Sequence, residues 1–341
     1  MTRETVPVDE WVTALKAAAE PTRLRLLLLL TANELNVKDL TLILGQSQPR
    51  LSRHLKLLAE AGLVERYREG SWVYFQISDR TPLQRRALDM LATVDPNDAV
   101  VQRDRERANA LKREREASAQ AFFGAHAADW DRIRALHASE ADVEAAMQEA
   151  LGAGPFRQFV DLGTGTGRIL ELFDGTYDRG LGIDVNQEML AHARAKLSAR
   201  GLNRAQVRQG DLYDLPLGDG SVPVVVMHQV LHFLSDPRRA VIEAARVLGY
   251  GGKLLIIDFA PHTLEFLRET EAHDWLGFSD ALVNKWLEEA GLKPVLVRKL
   301  TPARNEGENQ LTVSLWLAER PVMSVETVHV LITEPHIEET H

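Results

Sequence analysis

A short apolar segment that runs into a glycine-rich turn lies near the middle of the 341-residue chain. Residues 159–162 read Phe-Val-Asp-Leu, and glycines follow at 163, 165 and 167. Apolar residues at helical spacing come next, so the stretch predicts a strand, a tight loop and a helix. Glycine permits a positive φ and a close approach to a ligand, and free N–H groups at the helix start would offer a polar rim, which suits an adenosyl cofactor. A dinucleotide fingerprint would need glycine where Arg168 stands, which disfavours NAD.

Three aspartates lie at the ends of successive candidate strands. Asp161 ends the first apolar run, Asp184 comes 23 residues later at the end of Gly-Leu-Gly-Ile-Asp, and Asp211 follows the run 206–210. In a parallel sheet these strand ends meet in one crevice, where a carboxylate can accept hydrogen bonds from ribose hydroxyls. The alternative is an ordinary α/β nucleotide fold with incidental acids.

This ordered set resembles the class I S-adenosylmethionine-dependent methyltransferases. The resemblance implies that Gly163 and Gly165 flank the methionine portion of S-adenosylmethionine or S-adenosylhomocysteine, that Asp184 binds the ribose, and that Asp211 and Leu212 meet the adenine. It also implies an α/β, Rossmann-like sheet of seven strands with the last strand antiparallel. The full set of cofactor-binding residues that it implies is Asp161, Gly163, Thr164, Gly165, Gly167, Asp184, Val185, Asp211, Leu212, Met227 and His228.

The amino-acid composition limits the classes of function that the chain can have. The net charge of −9 argues against coating of the whole protein by nucleic acid but permits a local basic face. The absence of cysteine removes disulfides, thiolate metal sites and thiol nucleophiles. Residues 26–30 are five leucines, too short a run to cross a bilayer, and no signal peptide is visible. We therefore predict a cytoplasmic protein without a membrane partner.

Residues 9–80 have the pattern of a winged helix-turn-helix. Helices are predicted from residue 11, from Pro21 and from Lys38, the last ending at Gly45. Ser47 is predicted to cap a fourth helix whose leucines at 51, 55 and 58 face the core. Alternating segments at 63–68 and 72–77 then predict a hairpin, in the place of a wing.

This region resembles the ArsR family of bacterial repressors, on the runs 19–26, 47–56 and 70–74. The resemblance implies a homodimer that binds a double-stranded DNA operator; the alternative is a winged helix used only for protein contacts. Asn36 and Lys38 stand where metal-sensing members carry two cysteines, so that metal site is absent. The residues predicted to face DNA are Gln48, Arg50, Ser52, Arg53, His54, Lys56, Arg66 and Arg68.

The predicted organisation has four parts: a winged-helix domain at 1–94, a charged helical linker at 95–120, a methyltransferase domain at 121–320 and a tail at 321–341. The linker pattern predicts a solvated helix with i,i+4 ion pairs, and the alternative is a basic arm along DNA. Residues 121–135, with Trp130, are predicted to form a helix that covers the cofactor. Further strands are predicted at 222–227, 253–259, 294–298 and 311–316.

Several histidines beyond the fourth predicted strand are candidates for a general base. The set is His228, His232, His262 and His273, with Gln229 among them. His228 and His232 are favoured because they follow a strand and would share one face if helical. The alternatives are structural histidines or a metal site, and the latter lacks a third ligand.

Three functions remain open at this stage: a DNA-binding regulator that senses the cofactor, a methyltransferase of a small-molecule acceptor with feedback on DNA binding, and a methyltransferase that uses the winged helix only to dimerise.

Overall fold

The computed structural model describes residues 5–31, 35–69, 72–77, 80–127, 140–301 and 311–322. The chain divides into two compact units, Met1–Ser118 and Ala119–His341. Within the described ranges, no helix combines the length and the apolarity that crossing a bilayer requires. The predicted tail and the part of the predicted lid helix from residue 128 onward, including Trp130, lie outside these ranges.

The first unit is a helical domain with a small antiparallel sheet. The strands pair in the order β1-β3-β2, and buried leucines at 26, 40, 51, 55 and 58 form its core. The predicted helices and hairpin are present, and the short strand β1 is an addition. The elements are α1 (Val8–Ala18), α2 (Pro21–Leu30), β1 (Leu35–Asn36), α3 (Val37–Leu44), α4 (Gln48–Glu60), β2 (Glu65–Glu69), β3 (Trp72–Gln76) and α5 (Pro82–Leu91).

The turn between α3 and α4 differs from the prediction in one detail. Gly45 ends α3 in the left-handed conformation, as expected. Ser47 occupies the position before α4, but its side chain makes no capping hydrogen bond. Pro49 in the first turn has no N–H to cap, and the amide of Arg50 already donates to the Ser47 carbonyl oxygen at 3.1 Å. The predicted serine cap is therefore wrong.

The predicted linker is part of one long helix, α6 (Ala99–His126). Its first half is not fully solvated, because Val101 and Asp104 are buried. Asp104 accepts two hydrogen bonds from the Arg25 guanidinium, at 2.6 and 2.7 Å. Arg107 donates to the carbonyl oxygen of Ile43 at 3.0 Å. These contacts make the beginning of α6 a part of the helical domain.

The second unit contains a seven-stranded sheet in the order β6-β5-β4-β7-β8-β10-β9. Strand β10 is antiparallel to both of its neighbours, β8 and β9, which confirms the predicted doubly wound fold with a reversed last strand. The strands are β4 (Phe159–Leu162), β5 (Gly180–Asp184), β6 (Ala205–Gln209), β7 (Val222–His228), β8 (Leu248–Phe259), β9 (Lys293–Leu300) and β10 (Val313–Glu319).

Strand β8 begins five residues before the prediction, so Gly251 and Gly252 lie inside the strand. A Cβ at residue 252 would lie 2.8 Å from the Gly249 carbonyl oxygen and 3.1 Å from that of Pro223. The register between β7 and β8 also shifts between Val222 and Val224. The glycine pair thus lies in an irregular part of the strand, whereas the predicted strand began after it.

Helices cover both faces of the sheet, and each face has its own buried apolar cluster. A one-turn 3-10 helix, Leu231–Phe233, follows β7. The remaining helices of the second unit are α7 (Glu140–Leu151), α8 (Arg168–Leu172), α9 (Gln187–Ala199), α10 (Pro237–Val247), α11 (Phe266–Thr270) and α12 (Asp280–Glu289).

Candidate functional sites

The glycine-rich loop after β4 has the backbone conformation that its sequence predicts. Gly163, Gly165 and Gly167 all have positive φ angles, of 71°, 50° and 78°. A Cβ at residue 163 would overlap the side chain of Val230, so glycine is also required for packing. The loop therefore lies directly under the segment that follows β7.

Three amides of this loop donate hydrogen bonds to the end of β5. The N–H groups of Gly163 and Thr164 both donate to the carbonyl oxygen of Ile183, at 2.8 and 3.1 Å. The N–H of Gly165 donates to Asp184 Oδ2 at 2.9 Å. The loop thus uses these three amides to hold itself against the end of β5. The predicted polar rim concerns the amides at the start of the helix, which begins at Arg168, and stays a prediction.

Asp161 is a buried brace of the loop. Its Oδ2 accepts a 2.6 Å hydrogen bond from the Thr164 hydroxyl, and both side chains are buried. Gly182 makes room for this pair, because a Cβ there would lie 2.5 Å from Thr164 Oγ1. In the sequence, Gly182 is visible only as part of a Gly-Leu-Gly strand. That pattern does not by itself predict that the side chain of Thr164 packs against it.

Asp184 ends β5 and faces the loop. Its Oδ2 accepts from the amide of Gly165 and its Oδ1 from the amide of Asn186, each at 2.9 Å. Burial raises the pKa of Asp184, and the hydrogen bonds from Asn186, Gly165 and Val185 only partly offset this rise. Each carboxylate oxygen has a second lone pair. These are the lone pairs to which the predicted ribose hydroxyls would donate.

Asn186 makes contacts beside Asp184 that sequence reasoning missed. Its Oδ1 caps α9 by accepting from the amide of Met189 at 3.0 Å. Its Nδ2 donates to the carbonyl oxygen and to Oε1 of Gln120, both at 3.1 Å. Two residues from Asp184, Asn186 thus joins the end of β5 to the last turns of α6.

The other predicted cofactor residues differ in exposure. The amide of Gly210 donates to the Asp184 carbonyl oxygen at 3.0 Å, which brings the segment of Asp211 beside Asp184. Asp211 and Val185 are exposed, whereas Leu212 and Met227 are buried in the core. A cofactor can therefore meet Met227 only through its backbone.

His228 and His232 do not share a helix face, and this part of the prediction is wrong. His228 is the last residue of β7, Gln229 has a φ of 51°, and His232 lies in the 3-10 turn. The left-handed residue between them turns the chain before any helix can form. Among the described residues, no group of three or more histidine, aspartate or glutamate side chains is arranged to hold a metal ion.

His232 instead forms a buried pair with Asp258, which sequence reasoning did not single out. His232 Nδ1 lies 2.7 Å from Asp258 Oδ1, and the two side chains are 2% and 0% exposed. The amides of Leu231 and Phe259 also donate to the Asp258 carboxylate, at 3.0 and 2.7 Å. Asp258 stands near the carboxyl end of β8, so the signal that found the other acids could have found it.

Aromatic rings surround this pair. The His232 ring centroid lies 3.9 Å from that of Phe233, 4.2 Å from that of His273 and 5.0 Å from that of Phe259. Phe233 in turn meets Phe123 of α6 edge to face, at 4.7 Å. The bond to Asp258 occupies Nδ1, so Nε2 is the ring nitrogen of His232 that faces away from this carboxylate.

The first unit carries the predicted basic surface on α4 and β2. The exposed residues are Gln48, Arg50, Ser52, Arg53, Lys56 and Arg66. Arg68 lies in β2, and its side chain is outside the described part of the chain. These side chains form a solvent-facing set of the kind that contacts phosphates and base edges.

His54 does not belong to this surface, contrary to the prediction. Its side chain is 13% exposed, with Nδ1 3.8 Å from the Glu20 carboxylate. Burial lowers the pKa of His54, Glu20 partly offsets this, and the cations of Arg23, Arg50 and Arg53 lower it further. His54 lies one turn before the buried Leu58 and one residue before the buried Leu55, which places it at the margin of the core.

Comparison with known proteins assigns each unit. The family model of the bacterial regulatory proteins of the arsR family matches residues 20–66, and a methyltransferase domain model matches residues 160–256. The arsenical resistance operon repressor of Escherichia coli is 47% identical over 68 residues, which cover 20% of this chain and 58% of the repressor. The chain joins an ArsR-family regulatory domain to a methyltransferase domain.

Two further proteins resemble the methyltransferase domain. A Mycolicibacterium smegmatis protein named Probable S-adenosylmethionine-dependent methyltransferase is 36% identical over 110 residues, 31% of this chain and 41% of that protein. The methyltransferase in a complex with the Haloferax volcanii Trm112 activator is 23% identical, with a TM-score of 0.49, over 58% of this chain and 97% of its own. The chain thus spans about three fifths of the length of the Escherichia coli repressor and about two fifths of the length of the Mycolicibacterium smegmatis protein.

The ArsR-family domain departs from its metal-sensing members at a position that the structure explains. Asn36 precedes α3, and its Oδ1 accepts from the amide of Asp39 at 3.0 Å. Asn36 also pairs with Tyr74 across the β1-β3 ladder. This residue therefore starts a helix and closes a sheet, and its side chain is already used as a cap.

Proposed function

We propose that the protein is a DNA-binding transcriptional regulator whose methyltransferase domain binds S-adenosylmethionine or S-adenosylhomocysteine as an effector. The observation that carries this proposal is helix α6. Its beginning is bound to the ArsR-family domain through Asp104 and Arg25, and its end is bound through Gln120 to Asn186, two residues from Asp184. A single helix thus has one end in each functional unit.

The DNA-binding part of the proposal is supported by charge and exposure. In a chain of net charge −9, Arg50 and Arg53 are exposed near the beginning of α4. Guanidinium groups placed there can meet the phosphates and the guanine edges of a major groove. A two-fold symmetric protein would read a palindromic duplex.

A homodimer is supported by apolar side chains at the surface of the same domain. Val8, Val12 and Leu15 on α1 are 76%, 42% and 49% exposed, and Met90 on α5 is 38% exposed. The three residues of α1 are spaced so that they lie along one face of the helix. Burial of such a stripe against a second copy would remove apolar area from water.

The effector part is supported by the loop and by Asp184. The glycine loop, the carboxylate of Asp184 and the exposed Val185 lie at the carboxyl end of neighbouring strands, where open α/β sheets bind their ligands. Asp184 can accept from the ribose of either ligand. The sulfonium charge of S-adenosylmethionine, which S-adenosylhomocysteine lacks, is the chemical difference that such a site can sense.

Selection of duplexes from fragmented genomic DNA by the full chain tests the regulator. We expect an enriched palindromic sequence, weaker binding by Arg53→Ala, and a shallower salt dependence for Arg66→Ala. Arg194→Ala is the matched control, because Arg194 is an exposed arginine on α9 of the other unit. Recovery of no enriched sequence, with all variants equal to the wild type, would reject the proposal.

A second candidate function, a methyltransferase of a small-molecule acceptor, is favoured by the pair of His232 and Asp258. Bound S-adenosylmethionine would supply an electrophilic methyl group whose leaving thioether is neutral, so no acid is needed. His232 would take the acceptor's proton at Nε2, and Asp258 would accept the Nδ1–H bond that orients the ring. The surrounding phenyl rings suit a flat acceptor with an acidic O–H or N–H.

Release of S-adenosylhomocysteine in the presence of a panel of phenolic acceptors separates the two candidates. If the protein is a methyltransferase, we expect turnover that His232→Gln lowers by about 10²–10⁴-fold, with cofactor binding unchanged. If the protein is a regulator without enzymatic activity, we expect no turnover with any acceptor, while the affinity for S-adenosylhomocysteine measured by calorimetry is retained.

A further inference from the structure

A cavity of about 620 Å³ lies on the sheet of the methyltransferase domain, near the amino ends of β5 and β6. Asp184 is at the opposite, carboxyl end of β5, so this cavity is distinct from the cofactor cleft. Three arginines, Arg179, Arg204 and Arg208, contribute to its lining, and the other lining residues include Gln158, Asp178, Leu181, Asn203, Gln206 and Leu217.

The strand register places the polar residues side by side on one face. Gly180 pairs with Phe159 on one side and with Ala205 on the other, so the preceding residues Gln158, Arg179 and Arg204 stand in one row. Residues 204, 206 and 208 share a face because side chains alternate along a strand. Val207, which points to the opposite face, is buried in the core there.

The charges of these three arginines are not paired within the part of the chain that the structure describes. None of the ion pairs formed between described residues includes Arg179, Arg204 or Arg208, and all three are exposed. By contrast, Arg168 is paired with Glu144 and Arg246 with Glu243. Like charges in neighbouring strand positions repel each other. A row of unpaired guanidiniums over a cavity is stabilised when an anion occupies it.

The lining indicates the class of ligand. A guanidinium binds phosphate through two parallel hydrogen bonds. Three guanidiniums offer more donors and more positive charge than a single phosphate group requires. The amides of Gln158, Asn203 and Gln206 offer further donors and acceptors. The volume is in the range of small-molecule sites, which span about 300–1,000 Å³.

We propose that this cavity binds a small anion that carries two or more phosphate groups, at a site separate from the cofactor cleft. Asp178, which also lines the cavity, limits the excess of positive charge and disfavours a long polyanion. The proposal does not depend on whether the methyltransferase domain is an effector domain or an enzyme.

Isothermal titration of the full chain with inorganic pyrophosphate, at about 0.15 M ionic strength, tests the site, with inorganic phosphate as the weaker comparison. Arg204→Gln and Arg179→Gln should each weaken pyrophosphate binding by roughly tenfold or more. Arg204→Lys should restore only part of the affinity, because lysine keeps the charge without the fork. Arg194→Gln, which removes the same charge from exposed α9, should leave the affinity unchanged.

Three results would overturn the proposal. One is the absence of pyrophosphate binding, with the protein folded by circular dichroism. Another is an equal loss in Arg194→Gln and Arg204→Gln, which would indicate attraction by net charge alone. A third is displacement of pyrophosphate by a nonspecific DNA duplex whose own binding is lost in Arg204→Gln, which would assign the arginines to a nucleic-acid surface.

Discussion

The Nδ2 group of Asn186 donates two 3.1 Å hydrogen bonds to Gln120, one to its carbonyl oxygen and one to its side chain. Asn186 also donates its amide to Asp184, the carboxylate proposed to bind ribose. A ligand that changes the position of Asp184 therefore acts on a residue held directly by helix α6. This relationship underlies the proposed link between cofactor binding and DNA binding.

Cofactor affinity should depend on the ionisation of Asp184. Burial raises the pKa of this carboxyl above its ordinary value of 3.8, so the folded protein holds the proton more tightly than the unfolded chain. Ribose hydroxyls need an ionised acceptor, so S-adenosylhomocysteine should bind more weakly as the pH falls through the raised pKa of Asp184, at a pH above the ordinary 3.8.

Asp184→Asn should weaken S-adenosylhomocysteine binding by roughly 1.5–3 kcal/mol near neutral pH and remove this pH dependence. Calorimetry across the pH range checks both effects. Binding by the variant with the affinity and the pH profile of the wild type would contradict the assignment of ribose to Asp184.

The ion pair of Arg25 and Asp104 should stabilise the ArsR-family domain. The two side chains are 18% and 4% exposed, and the hydrogen bond to Asp104 raises the pKa of Arg25. Asp104→Ala leaves this guanidinium without its acceptor and should lower the free energy of unfolding by about 2–4 kcal/mol.

A surface pair gives the control for this prediction. Arg86 and Asp89 lie 3.2 Å apart with side chains 54% and 70% exposed, and Asp89→Ala should cost about 0–1 kcal/mol. Urea denaturation of both variants measures the difference. Equal effects would show that α6 contributes no more to the domain than an exposed ion pair.

His54 should make the ArsR-family domain less stable in acid. Its pKa is lowered in the folded state from the ordinary 6.5, so the unfolded chain binds the proton more readily. The stability that the neutral ring provides is present above pH 6.5 and is lost as the pH falls through the lowered folded value. His54→Gln should flatten the dependence of the melting temperature on pH in this range, and an unchanged slope in the variant would contradict the burial of His54.

Local patterns predicted the parts of the site that are close in sequence. The glycine loop, the strand-end aspartates at 184 and 211 and the buried leucines of α4 all follow from spacing alone, because each is a property of one strand or one helix. The short strand β1 and the irregular start of β8 were not predicted, since both depend on pairing with another strand.

The contacts that join distant segments could not be predicted from the sequence. His232 and Asp258 are 26 residues apart, Gln120 and Asn186 are 66 apart, and Arg25 and Asp104 are 79 apart. Their residue types are common, and only the packing of the fold brings them together. His54 illustrates a different error. It lies on the same helix as Arg50, Arg53 and Lys56 and was therefore predicted to be exposed, although Glu20 and the core cover it.

The DNA affinity of the full chain, measured by fluorescence anisotropy on a selected operator, tests the central claim most directly. The account predicts that S-adenosylmethionine and S-adenosylhomocysteine give dissociation constants that differ by about 5–150-fold, and that DNA changes the ligands' affinities by the same factor. Gln120→Ala, which removes the side-chain half of the contact with Asn186, should reduce this difference while each ligand still binds. Identical DNA affinity without ligand, with either ligand and in Asp184→Asn would contradict the account and would leave two domains that are only tethered together.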